Sequence, residues 1–185
     1  QVKYYAELCR KDAACSARTS DLAASMRSVN RSMPKSWLFL PIDPGKVKVV
    51  AFAMLFHRTT APIIFDAYLS AEKGDPSGLA LMSLAYDFMM PGMMTWGEFF
   101  AIGSSADFEV GRDYRAELTT PDAVLGAPMS LLIWGSAGGW PVTPMAAEYH
   151  QVNSTDVQTL LVSGTVDFST PAQFARDELL PSLRN

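Results

Sequence analysis

The sequence predicts an α/β chain in two unequal parts: a mostly helical stretch over residues 1–140 and, over 141–185, one strand of a parallel sheet with the helix that follows it. Three observations predict this. In the first hundred positions, apolar residues recur at helical spacing between proline and glycine breaks. The run from Val157 to Ser163 is short, rich in β-branched residues and nearly all apolar, which suits a strand buried on both faces of a parallel sheet. Thr170-Pro171-Ala172-Gln173 then makes a capping box with proline at the first helical position, so a helix starts there and runs to about Pro181.

The helical elements follow in order. Ser20 is a candidate N-cap for a helix whose Leu22, Met26 and Val29 share one narrow face and which ends before Pro34. A proline-containing connection over 35–45 leads into the apolar run 46–56. Thr59-Thr60-Ala61-Pro62 then opens a second helical stretch that reaches Lys73 and stops at Gly74. Asp75 and Pro76 suit the cap and first turn of a helix carrying Leu79, Met82, Leu84 and Tyr86. Met89-Met90-Pro91-Gly92-Met93-Met94-Thr95-Trp96 interrupts the pattern, with Phe99 and Phe100 close behind. Methionine and aromatic side chains make adaptable apolar surfaces, used as core filler and at sites that receive varied apolar ligands. Met89, Met90, Met93, Met94, Trp96 and Phe99 therefore have two readings, core and substrate lining. The polar stretch 103–126 reads as a solvated helical face.

Composition bounds the function. The chain has 185 residues, with 15 Lys+Arg against 19 Asp+Glu for a net charge of −4, and hydrophobic residues make up 49% against 18% charged. That length gives one domain's core, and the low charge with a mean hydropathy of +0.09 points to a large core or an apolar surface that expects a partner. A sequence pI near 5.1 with no basic run excludes an electrostatic grip on nucleic acid. The longest apolar run, Val49 to Phe56, is far shorter than the ~20 residues that span a bilayer, so no membrane span is expected. No charged-then-apolar leader opens the sequence. His57 and His150 are distant in sequence and lack a ligand-like pattern, so no metal site is expected. Cys9 and Cys15 are close enough for a small disulfide loop, and two buried thiols fit the spacing equally well.

Chemistry concentrates between the expected strand and the last helix. Functional groups of open α/β sheets sit at the carboxyl ends of strands, and Asp167 lies four residues past Ser163. Aspartate is equally at home hydrogen-bonding its own turn.

The segment 158–171, Gln-Thr-Leu-Leu-Val-Ser-Gly-Thr-Val-Asp-Phe-Ser-Thr-Pro, resembles the strand and acid-bearing loop of α/β-hydrolases in the TAP-like branch, related to tripeptidyl and prolyl aminopeptidases. Gly139-Trp140-Pro141, the stretch 71–75 and the Cys9/Cys15 pair resemble other parts of that family more loosely. The resemblance implies a partial α/β-hydrolase fold, with a helical cap over 1–140 and, over 141–185, a C-terminal piece of the core. It implies that Asp167 is the acid of a Ser-Asp-His triad, and that the Met89–Phe99 residues line a pocket. It also implies a Cys9–Cys15 disulfide and no cofactor. The implied activity is serine hydrolysis of a small-molecule ester or peptide, by an esterase or aminopeptidase-like enzyme.

Two triad members are missing from this sequence. The nucleophile of such enzymes sits on a Gly-x-Ser-x-Gly elbow. Glycines four apart occur here as Gly74/Gly78 and Gly135/Gly139, with Pro76 and Ala137 at their centres. Both histidines precede Asp167, although the triad order places histidine after the acid. The implied reading is therefore an internal piece of a larger hydrolase, inactive alone, that partners the missing core segments. A carboxylate to hold a peptide amine would come from Glu72, Asp87 or Glu98, and no motif picks among them. The family's frequent export points to a periplasmic or secreted enzyme, with a cytoplasmic parent left open. The competing expectation is a helical binding module derived from a hydrolase cap, without catalysis.

Overall fold

Aspartates cap several of the early helices of this chain. The computed structural model describes residues 2–119, 123–125, 127–137, 139–167 and 169–184; Phe168 of the acid-bearing motif, Gly126 and both terminal residues lie outside them. Helix α1 spans Val2–Lys11 and ends on Arg10 and Lys11, cations placed favourably at a helix C-terminus. Asp12 caps the short α2 (Ala13–Ser16) by accepting from the Cys15 N–H at 2.8 Å. Asp21 caps α3 (Leu22–Arg31) by accepting from the Ala24 N–H at 3.0 Å. The cap thus falls one residue after Ser20, because the Asp21 backbone is extended and its carboxylate reaches the third helical N–H. Asp43 caps α4 (Pro44–Met54) through the Lys46 N–H at 2.9 Å.

Helix α5 (Ala61–Glu72) begins with proline in its first turn and stops before Gly74, whose φ of +97° suits a residue with no Cβ. The Asp75 carboxylate accepts from the Ser77 N–H at 3.0 Å where α6 (Ser77–Met89) begins. Between α3 and α4 a two-stranded antiparallel hairpin forms, β1 (Ser36–Trp37) on β2 (Leu40–Pro41), with Trp37 opposite Leu40.

Helices α3, α4, α5 and α6 pack around one core, with α1 against α3. Leu22, Met26, Val47, Ile64, Tyr68 and Leu79 are among its fully buried side chains. The Leu22/Met26/Val29 stripe is buried as its spacing predicts. Helices α5 and α6 approach so closely at Gly78 that an added Cβ would lie 2.7 Å from the Ala67 Cβ. The buried Tyr68 hydroxyl meets Asn30 Oδ1 at 3.4 Å, and Asn30 Nδ2 donates to the Val124 carbonyl at 2.6 Å, which ties 123–125 to α3.

A second layer consists of α7 (Trp96–Ala106), α8 (Tyr114–Leu118) and α9 (Pro128–Ala137), and α9 packs on α4. Stacked rings join it: Phe108 on Tyr114 at 5.7 Å and Tyr114 on Trp134 at 5.3 Å. Within the polar stretch 103–126 only the end of α7 and the short α8 are helical among the described residues. Arg112 bridges Glu109 at 3.3 Å and Glu117 at 2.7 Å there. No helix among the described residues is long and apolar enough to cross a membrane.

The α/β expectation does not survive beyond α9. The described residues are mostly helical, and their one sheet is the hairpin; a parallel-sheet core of an α/β-hydrolase is absent among them. Residues 158–163 join no β-ladder among the described residues, and Leu160 and Val162 are 87% and 83% exposed. A parallel strand is stable only with neighbours to satisfy its backbone and cover both faces. None of the described residues pairs with 158–163 in a ladder, so apolar pattern alone does not make this segment a strand. The single parallel pairing nearby is an isolated bridge, with Thr155 N–H on the Ser182 carbonyl and Arg184 N–H on the Thr155 carbonyl, both at 2.9 Å. The last helix does form, as one α-turn (α10, Ala172–Phe174) that widens to a π-turn over Ala175–Leu179 and tightens to 3-10 geometry over Leu180–Ser182.

Candidate functional site

Asp167 sits in a tight turn whose backbone N–H groups converge on its side chain. Its Oδ1 accepts from the N–H groups of Ser169 at 3.0 Å and Thr170 at 2.9 Å, and its Oδ2 from the Thr170 hydroxyl at 2.8 Å. The Thr170 N–H, then its hydroxyl, then the Ser169 N–H hold this carboxyl below the ordinary carboxylate range. The group is therefore ionised at neutral pH, and Oδ2 keeps acceptor capacity for one further donor. Thr170 is expected to cap the last helix from its side chain. Instead its hydroxyl serves Asp167, and the helix start at Pro171 has no side-chain cap.

Three adjoining clefts meet at this turn. The first, about 490 Å³, lies between α1, α2 and α5 and is walled by Tyr5, Leu8, Pro62, Phe65 and Leu69. The middle one, about 340 Å³, contains Asp167, Gly164, Ser169 and Thr170. The third, about 370 Å³, lies between α4, α7 and α9 and includes Phe52, Met93, Met94, Phe99 and Ile133. Tyr5, Arg58 and Val166 belong to both the first and the middle cleft. Phe56 and Ser169 belong to both the middle and the third. The outer walls are mostly apolar, while the middle wall mixes polar and apolar surface.

The six apolar candidates divide. Met93, Met94 and Phe99 line the third cleft. Met89 ends α6 half exposed, and Met90 is buried. Trp96 packs edge-on to Phe99, with ring centroids 6.5 Å apart, and its indole N–H donates to the Pro91 carbonyl at 3.4 Å. A single 3-10 turn over Met90–Gly92 separates the methionines, and the two pairs reach different surroundings.

Cys9 and Cys15 are joined by a disulfide, with Cα atoms 5.1 Å apart, and the bridge forms part of the first cleft's wall. Arg18 pairs with Asp66 on the same wall. Of the carboxylates considered for a peptide amine, Asp87 is committed to Lys46 at 2.6 Å, and neither Glu72 nor Glu98 lines these clefts. His150 Nε2 meets the Met145 carbonyl at 3.3 Å, and neither histidine hydrogen-bonds Asp167. Among the described residues no group of three His, Cys, Asp or Glu side chains is placed to hold a metal ion.

Sequence reasoning does not reach Tyr5, Arg58, Phe65 or Val166. Tyr5 and Phe65 meet at 5.1 Å from helices sixty positions apart, a contact with no local signal. Val166 adjoins Asp167 and carries the same loop into the first cleft. Compared with protein-family models, curated proteins and solved structures, the chain matches none of them.

Proposed function

We propose that this chain supplies the lid and the acid of a serine hydrolase that cleaves carboxyl-ester or peptide bonds. Asp167 is the acid of its Ser-Asp-His triad, and the serine and histidine come from polypeptide outside these 185 residues. One observation carries the reading: an ionised carboxylate, held by three donors of its own turn, opens on a mixed cleft flanked by two apolar ones. The resemblance of 158–171 to a TAP-like acid loop supports it.

In this role Oδ2 accepts the Nδ1–H of the histidine, fixes its tautomer and stabilises the imidazolium that forms as the serine is deprotonated. The carboxylate does not take the proton. A pKa already held low suits that task, because the acid stays charged throughout the cycle. The helical layers exclude water from the acyl or peptidyl group. A periplasmic or secreted setting belongs to the same proposal, since oxidising compartments preserve a disulfide such as Cys9–Cys15.

The second reading, a helical binding module without catalysis, is favoured by a different observation: among the described residues the Asp167 carboxylate hydrogen-bonds only within its own turn. Asp167→Asn in the full-length protein, assayed on p-nitrophenyl esters, separates the two. The expected result is a fall in turnover of roughly 10⁴-fold with the fold intact, and no turnover by the 185-residue chain alone. Near-normal hydrolysis by the Asn variant would sink the triad assignment, and no hydrolysis by the unaltered full-length protein would favour the binding module.

A further inference from the structure

The order of the three clefts, apolar, mixed, apolar, says more about the occupant than either outer cleft does. A ligand with one apolar tail and a polar head would fill one outer cleft and leave the other as an open apolar surface. Filling both requires a molecule with a polar centre and an apolar group on each side. The clefts adjoin through shared residues, Val166 on one side of Asp167 and Ser169 on the other, so a single small molecule can lie across the turn. Arg58, which makes no ion pair among the described residues, borders the middle cleft, and its guanidinium N–H groups can donate to a carbonyl oxygen there.

We propose that the substrate class is a neutral ester or secondary amide with apolar groups on both sides of the carboxyl, its centre beside Asp167 and its two arms in the outer clefts. This rests on the hydrolase reading for the word substrate, whereas the binding itself needs neither serine nor histidine. One arm packs against Tyr5, Phe65 and Leu69 beside the disulfide, and the other against Met93, Met94 and Phe99. Each outer volume falls in the range of small-ligand sites, and a largely apolar wall with few convergent polar groups is the usual composition of such sites.

Isothermal titration of the 185-residue chain with N-hexylhexanamide, a slowly hydrolysed two-armed probe, tests this against hexanamide and N-hexylacetamide, which each lack one arm. The two-armed amide is expected to bind at least about tenfold more tightly than either, because each missing arm removes several buried methylenes. Ala14→Trp at the exposed mouth of the first cleft and Ser130→Trp in the third should each bring the two-armed affinity down to the one-armed level. Far-UV circular dichroism checks that both variants retain the helical fold. Equal affinity of all three amides for the folded chain overturns the proposal, as does an affinity that neither folded Trp variant lowers. Two-armed binding combined with an active Asp167→Asn enzyme defeats the triad and leaves the two-armed site standing. Loss of hydrolysis in that variant without two-armed selectivity does the reverse.

Discussion

Residues 22–90 and residues 139–184 both carry apolar runs and meet opposite fates. In the first region helices bury one another's stripes, so Leu79 and Tyr68 are fully enclosed. In the second, no described side chain is buried, and Leu160, an equally apolar residue, stands 87% exposed. A helix satisfies its own backbone and needs only one covered face. A strand needs neighbours for its hydrogen bonds as well as its side chains. Apolar pattern is therefore sufficient for burial only where the element can form locally.

The largest expected difference between the regions is in amide exchange. Hydrogen exchange followed by mass spectrometry should show the amides of α5 and α6 slowed at least about 10³-fold relative to those of residues 158–163, since the core opens only with global unfolding. Among the described residues the backbone N–H groups of 158–163 donate no hydrogen bond. Strong protection there would break the comparison. A pair of truncations sharpens it next. Leu79→Ala should cost about 2–5 kcal/mol in urea unfolding, and Leu160→Ala should stay within about 0.5 kcal/mol of the parent. A large cost at Leu160 would show that its segment is packed after all.

Reduction of Cys9–Cys15 acts on the helical region alone. The closed loop is short, so the chain-entropy account gives about 2 kcal/mol, read as a lower melting temperature with reductant present. The smallest effect belongs to the second region and is one of pH. The Asp167 carboxyl is held low by Thr170 and Ser169, so its contribution to stability is present above the ordinary aspartate range, near 3.9, and is lost as pH falls through its lower folded value. Thr170→Val removes the hydroxyl donor while the Thr170 N–H remains. The Asp167 midpoint followed by carbon-detected NMR should then move upward, and an unmoved midpoint would discount the hydroxyl's part.

Much of the helical region was legible because its signals are local. The Leu22/Met26/Val29 stripe, the proline in the first turn of α5, the Gly74 stop and the start of α6 near Asp75 each depend on residues within one or two turns. The misplaced cap at Ser20 is an error of one residue, decided by which side chain reaches the third N–H. The site was less legible. Asp167 stood out through its motif, but the walls around it come from α1, α5, α7 and α9, joined by contacts that no spacing encodes. The methionine cluster looks like one feature in the sequence, and the structure divides it: Met90 is buried, Met89 is half exposed, and Met93 and Met94 line the third cleft.

By itself the sequence determined the approximate bounds of α3, α5 and α6, the buried stripe of α3, and that residue 167 brings an aspartate into a turn rich in hydrogen-bonding neighbours. These follow from short-range geometry and the partition of apolar side chains. Tertiary structure alone decided that Val157–Ser163 is exposed rather than sheeted, that Thr170 serves Asp167 rather than the helix behind it, and that three clefts meet at that carboxylate. Each depends on what lies across from a residue rather than beside it in the chain.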